Sequence, residues 1–124
     1  MERSEFVSFR KRLTKTQIQM AHLLGISVKT VRSYEQGWRS IPPHVERQIL
    51  FLITRVDGKA KTQKSCWTIN KCPNEQKEHC PAWEFDAGKF CWHINGTICS
   101  GFSHETWKEK IKICRKCKVL LALL

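Results

Sequence analysis

The sequence has 124 residues and carries 22 lysines and arginines against 11 aspartates and glutamates, a formal net charge of +11. A chain this basic is typical of a protein that meets a polyanion, and its charge disfavours an enzyme with neutral substrates. The longest apolar run, Val119–Leu124, has six residues. That length is too short for a membrane span or a secretory signal, so we expect no membrane association and a cytoplasmic location.

The cysteines divide the chain in two. All seven fall between Cys66 and Cys117. This boundary predicts a helical domain at residues 1–57, a linker at 58–65 and a cysteine-rich domain at 66–124. The linker is polar and basic and contains Gly58, a composition typical of a hinge. In a reducing cytosol an odd number of thiols indicates metal or redox chemistry more than structural disulfides.

The first domain is predicted to be a bundle of four to five helices. Phe6, Phe9 and Leu13 share one face at helical spacing, which predicts an amphipathic first helix. Pro42 and Pro43 are suited to a first turn and open a later helix that reaches residue 53.

Between these helices the sequence predicts two short helices joined by a tight turn. Thr16 caps residues 17–24, Gly25 permits the turn, and Ser27 caps residues 28–36, which end at Gly37. The positions expected to hold the pair together are Ile18, Ala21, Leu24, Ile26, Val31 and Tyr34. This is the helix-turn-helix arrangement, and a small helical bundle without a ligand is the alternative.

Residues 6–41 resemble the Xre/Cro-type helix-turn-helix. The shared features are Gln17 at the start of the second helix, Ala21-x-Leu23-Leu24-Gly25-Ile26-Ser27 across the turn, and Tyr34-Glu35-x-Gly37 at the end of the third helix. Tyr34 stands where many members of the family have tryptophan. The resemblance implies that the third helix reads the major groove of double-stranded DNA, and that a homodimer binds a palindromic operator.

The resemblance also implies which side chains contact DNA. The third helix presents Lys29, Thr30, Arg32 and Ser33 to bases and nearby phosphates. Gln17 and Arg39 are expected to contact the DNA backbone. Ser27 belongs to the same predicted interface, although a helix cap is the simpler role for its hydroxyl.

The cysteine-rich block contains a short internal repeat. Cys66-Trp67-Thr68-Ile69-Asn70 is followed 25 residues later by Cys91-Trp92-His93-Ile94-Asn95. Turn formers are scattered between the cysteines, and aliphatic residues are few, so we expect a loop-rich fold held by a metal centre. It is predicted to contain one or two short helices, one of them at residues 104–113 with Ser103 as its cap.

The spacing of the cysteines helps to distinguish a zinc site from an iron–sulfur cluster. The seven candidate ligands are Cys66, Cys72, Cys80, Cys91, Cys99, Cys114 and Cys117. Structural zinc commonly uses two C-x2-C pairs, whereas this chain has one such pair and five singly spaced cysteines. An iron–sulfur cluster accepts irregular spacing and apolar cover. We therefore expect an iron–sulfur cluster, 4Fe–4S in type, with zinc as the alternative.

Not every cysteine is expected to ligate. The favoured ligands are Cys72, Cys80, Cys99 and the Cys114/Cys117 pair. Cys66 and Cys91 open the two repeats as equivalents and are expected to act together. His79 and His93 lie beside this pattern and are expected at the surface.

The whole block resembles the two-CW domain, a cysteine-rich module fused to sensor and regulatory proteins. The matching residues are Cys66-Trp67, Cys72, Cys80-Pro81-Ala82, Cys91-Trp92, Asn95-Gly96-Thr97-Ile98-Cys99-Ser100-Gly101 and Cys114-x2-Cys117. The resemblance implies a metal or redox role.

Together these features predict a DNA-binding transcriptional regulator, not an enzyme, whose cysteine-rich domain senses redox state, oxygen or metal. A DNA-binding protein with a structural zinc domain is the second hypothesis. A small redox or electron-transfer protein is the third, disfavoured because the sequence has no nucleotide or flavin motif. The apolar run at 119–124 is predicted to be a dimer seam or a domain-docking surface.

Overall fold

The computed structural model of the chain describes residues 1–56, 63–99 and 103–124. These residues are mainly helical. The chain divides into two compact units, Met1–Val56 and Asp57–Leu124. Most of the predicted linker lies outside the described residues. Within the described ranges, none of the helices combines the length and the hydropathy needed to cross a bilayer.

The first unit consists of four helices, α1 (Arg3–Arg12), α2 (Gln17–Leu24), α3 (Val28–Gln36) and α4 (Pro43–Val56). Helix α3 packs on α1 and α2, and α4 packs on the same two helices. Their apolar faces form one buried core of Phe6, Phe9, Leu13, Met20, Ala21, Leu24, Val31, Tyr34, Val45, Ile49, Leu50 and Ile53. The four predicted helices are therefore present.

The connection between α2 and α3 is closed by local hydrogen bonds. Gly25 adopts φ 66°, a left-handed conformation that favours glycine. The Ile26 amide donates to the Ala21 carbonyl at 3.0 Å, and the Ser27 hydroxyl accepts from the Thr30 amide at 3.1 Å. These bonds satisfy backbone groups at the end of α2 and at the start of α3.

One predicted core position in α2 is wrong. Ile18 is 55% exposed, whereas Met20 is completely buried. Because each residue of an α-helix advances by about 100°, Ile18 lies on the side opposite to Met20, and Met20 shares its face with Ala21 and Leu24.

The second unit contains more helix than the sequence predicts. Its short segments are α5 (Cys66–Ile69), α6 (Asn74–Glu78), α7 (Pro81–Glu84), a 3-10 turn (Cys91–His93), α8 (Trp107–Cys114) and α9 (Lys118–Leu121). The prediction of one or two helices is wrong because segments of one turn are too short to show helical periodicity. Helix α8 begins later than predicted, since the Thr106 hydroxyl, not that of Ser103, accepts from the Glu109 amide at 3.2 Å.

The apolar end of the chain belongs to the core of the second unit. Val119, Leu120 and Leu123 are all buried. Val119 packs in a cluster with Cys80 and Cys91. Half of the run is therefore covered within the unit, whereas Leu121 is 53% exposed. The prediction of a dimer seam or docking surface is wrong for Val119, Leu120 and Leu123 and stays a prediction for the exposed remainder.

A close approach of two segments orders the start of the second unit. The Cys66 amide donates to the Gly88 carbonyl at 2.7 Å. A Cβ atom at Gly88 would lie 2.6 Å from the Trp67 ring and 2.7 Å from the Ser65 Cβ, so the position has no room for a side chain.

Candidate functional site

All seven cysteines line one cavity in the second unit. Its volume is about 720 Å³. The lining thiols come from Cys66, Cys72, Cys80, Cys91, Cys99, Cys114 and Cys117. Cavities that hold cofactors and small molecules commonly measure about 300–1,000 Å³. The fold thus gathers thiols spread over 52 residues of sequence around a space large enough for a polyatomic group.

The sulfur atoms of Cys80 and Cys117 are among those that accept hydrogen bonds from nitrogen. The Ile98 amide donates to the Cys80 Sγ at 3.2 Å, and the Asn70 Nδ2 donates to the Cys117 Sγ at 3.7 Å. Such N–H donors stabilise negative charge on sulfur, and they surround metal-bound thiolates in proteins.

The two cysteines that open the repeats are in contact. The Cys91 thiol donates a hydrogen bond to Cys66, which lowers the pKa of Cys66 to about 7. The same bond, together with burial, raises the pKa of Cys91. The structure thus brings together the two residues that the repeat makes equivalent, and it gives them opposite acid–base properties.

At three further thiols, burial is the largest influence on the pKa. It raises the pKa of Cys72, Cys99 and Cys114. The Lys110 ammonium opposes this effect at Cys99 and Cys114. In the absence of a metal these thiols hold their protons at neutral pH, and metal binding would release those protons.

Sequence reasoning missed Lys110, which lies within the thiol cluster. Its side chain is buried, and its ammonium donates to the Thr97 hydroxyl. A signal was available, because Lys110 follows Trp107 by three residues and precedes Cys114 by four, and all three therefore share one face of α8. Lys110 was overlooked because lysines usually lie at the surface.

His79 and His93 are exposed, as predicted. In the described part of the chain, no group of three or more His, Cys, Asp or Glu side chains is arranged so that it could hold a metal ion. The choice of ligands among the seven cysteines therefore stays a prediction.

The predicted DNA-contacting residues of the first unit differ in their exposure to solvent. Lys29, Arg32 and Arg39 are exposed, and so is Ser27, whose hydroxyl also caps α3. The half-buried Thr30 has its hydroxyl 2.8 Å from that of Ser27.

Ser33 differs from the other α3 positions. It is buried, and its hydroxyl donates to the Lys29 carbonyl at 2.9 Å. The prediction that it faces outward is wrong, because Ser33 adjoins the buried Tyr34 at the edge of the core face of the helix.

A hydrogen-bonded network holds Gln17, at the start of α2, in place. Glu35 accepts from the Arg10 Nε at 2.5 Å and from the Gln17 Nε2 at 2.6 Å. The Gln17 Oε1 accepts from the Arg32 Nε at 3.4 Å. Two predicted contact residues, Gln17 and Arg32, therefore lie side by side. Sequence reasoning missed the pairing of Arg10 with Glu35, since nothing local connects residues 25 positions apart.

No protein-family model, curated protein or solved structure matches this chain. The two family resemblances therefore stay predictions, and the functional argument depends on the residues and geometry described above.

Proposed function

We propose that this chain is a sequence-specific DNA-binding transcriptional regulator whose second unit binds an iron–sulfur cluster and senses redox state, oxygen or metal. One observation carries the proposal: all seven cysteines line a single cavity in a chain that also carries a basic helical unit. The first unit would supply the output, binding to DNA, and the second unit would supply the input.

The DNA-binding part of the proposal is supported by the surface of the first unit. Helix α3 is linked to α2 by a tight turn and carries exposed Lys29 and Arg32, with exposed Arg39 just beyond its end. A helix-turn-helix would place this α3 surface in the major groove. Gln17, positioned by Glu35, would contact the backbone beside it.

The size of the cysteine-lined cavity and its number of thiols favour a cluster over a single ion. Four sulfurs bound to zinc at about 2.3 Å lie only about 3.8 Å from one another, which leaves a closed site. The cavity measures about 720 Å³ and has more thiols than one zinc ion binds. The favoured ligands remain Cys72, Cys80, Cys99 and the Cys114/Cys117 pair. A bound cluster would supply a centre whose charge and integrity respond to redox state and oxygen.

Regulation requires only a modest free-energy coupling between cluster binding and DNA binding. A coupling free energy of about 1–3 kcal/mol changes affinity by roughly 5–150-fold. We propose that the cluster-loaded state and the cluster-free state differ in their affinity for a palindromic operator, which a homodimer would bind.

The test begins with anaerobic purification of the full chain. Iron, acid-labile sulfide and zinc are then quantified, and the visible spectrum is recorded. The proposal predicts a coloured protein that contains iron and sulfide. A colourless protein with stoichiometric zinc would contradict the cluster and support the structural-zinc alternative. Selection from random DNA duplexes tests the output, and failure to enrich any sequence would contradict specific DNA binding.

A further inference from the structure

Lys110 is a buried cation that has no carboxylate partner among the described residues. Only 3% of its surface is exposed. Its ammonium donates to the Thr97 hydroxyl and is hydrogen bonded to Cys114, and both of these residues line the cavity. The thiols of Cys66, Cys99 and Cys114 interact electrostatically with it.

An ammonium in this position needs nearby negative charge. Lysine is almost never fully buried unless it is paired, because removing its charge from water is costly. In the metal-free site the protonated Cys99 and Cys114 thiols and the Thr97 hydroxyl do not supply that charge, and Cys66, whose pKa is about 7, supplies it only in part. Several thiolates together would supply it. Cysteines become thiolates when they bind a metal, so the environment of Lys110 suits the loaded form of the site.

Trp92 provides a second, independent indication of a ligand. Its side chain is completely buried and lines the same cavity. Its indole Nε1 is buried, and it has no hydrogen-bond partner among the described residues. A buried tryptophan N–H usually finds an acceptor. A ligand in the cavity that offers acceptor atoms would satisfy it.

We infer that Lys110 and Trp92 recognise an anionic, sulfur-bearing guest in the cavity, with Lys110 balancing its negative charge and Trp92 donating its indole N–H to a sulfur atom. This inference rests on the proposed function and specifies it. A thiolate-ligated iron–sulfur cluster has this chemistry, since it is anionic and its inorganic sulfides add acceptors to those of the cysteines. Both residues are positioning residues that tune the cluster.

The inference has a measurable consequence in the reduction potential. Reduction adds negative charge, so a nearby cation and an N–H donor to sulfur both favour the reduced state. Removing either group lowers the potential. At a fixed applied potential, we expect the ratio of reduced to oxidised cluster to fall at least about tenfold, which corresponds to 59 mV for a one-electron couple.

The experiment uses the full chain, reconstituted anaerobically with iron and sulfide. Lys110→Met removes the charge and Trp92→Phe removes the donor, whereas Lys110→Arg keeps the charge. Lys112→Met is the matched control, because Lys112 lies on the same helix but is exposed. Iron and sulfide content is measured first, and the reduced fraction is then followed during titration with a chemical reductant.

The expected result is a lowered reduced fraction in Lys110→Met and Trp92→Phe, with Lys110→Arg and Lys112→Met close to the unsubstituted chain. Loaded Lys110→Met and Trp92→Phe proteins with unchanged potentials would overturn the inference while leaving the proposed cluster in place. Equal shifts in Lys110→Met and Lys112→Met would also overturn it, since they would reflect net charge alone. If Lys110→Met does not fold, the reduction potential of the cluster in Trp92→Phe decides whether the inference holds. Failure of the unsubstituted chain to take up iron and sulfide would overturn the proposed function itself.

Discussion

Replacing Arg10 by methionine tests the network that organises the first unit. The Arg10 guanidinium donates to both Glu35 carboxylate oxygens, at 2.5 and 3.5 Å, and to the Lys15 carbonyl at 3.0 Å. Methionine keeps most of the apolar stem of the side chain and removes all three bonds. Glu35 would then retain only its bond from Gln17.

The expected loss follows from the burial of the pair. The side chains of Arg10 and Glu35 are only 16% and 10% exposed. Exposed pairs contribute about 0.2–1 kcal/mol, whereas removing one partner of a buried pair costs about 3–5 kcal/mol. Because Glu35 keeps the Gln17 donor, we expect a loss of about 2–3 kcal/mol. In a unit of this size each kcal/mol lowers Tm by roughly 4–8 °C.

Native-state hydrogen exchange of the full chain reports on the first unit separately from the second. The α1 and α3 amides should lose protection equivalent to about 2–3 kcal/mol in Arg10→Met. Lys11→Met is the matched control, because it makes the same charge change at an exposed neighbour on α1. A loss no larger than that of the control would refute the assignment of Arg10 as a buried structural partner.

Three further predictions concern single side chains. Lys29→Met should weaken DNA binding and reduce the slope of log affinity against log salt by about one, with Lys11→Met unchanged, in fluorescence anisotropy titrations. Gly88→Ala should destabilise the second unit by about 1–3 kcal/mol through overpacking, and a thermal unfolding midpoint equal to that of the parent chain would contradict this. In metal-free protein, Cys66 should be alkylated by iodoacetamide with a midpoint near pH 7. Cys91→Ala should raise that midpoint, because it removes the donor that stabilises the thiolate; an unchanged midpoint would show that the hydrogen bond is not the cause.

Features fixed by neighbouring residues were predictable from the sequence. The caps at Thr16 and Ser27 and the left-handed Gly25 depend on interactions within a few residues, so the helix ends of the α2–α3 region match the prediction. Burial was harder to predict, because it depends on packing between helices. Ile18 and Ser33 show this, since each was assigned to the wrong environment.

In the second unit, too, local features were predictable from the sequence, whereas the packing of distant segments was not. Its cysteine content predicted a central site, but spacing alone does not show that all seven thiols line one cavity. The burial of Lys110 contradicts the usual preference of its residue type, and the thiols that surround it come from segments that are distant in sequence. Val119 and Leu120 were predicted to lie on an external surface, because the small core that buries them comes from distant segments.

The central claim is that the state of the cysteine-lined site controls DNA binding. The most direct measurement is the anisotropy of a labelled, selected duplex titrated anaerobically with the cluster-loaded chain and then with the same preparation after cluster removal by a chelator and an oxidant. The account predicts affinities that differ by at least about fivefold, the lower bound of typical allosteric coupling. Equal affinities in the two states, with iron and sulfide present in one and absent from the other, would contradict it.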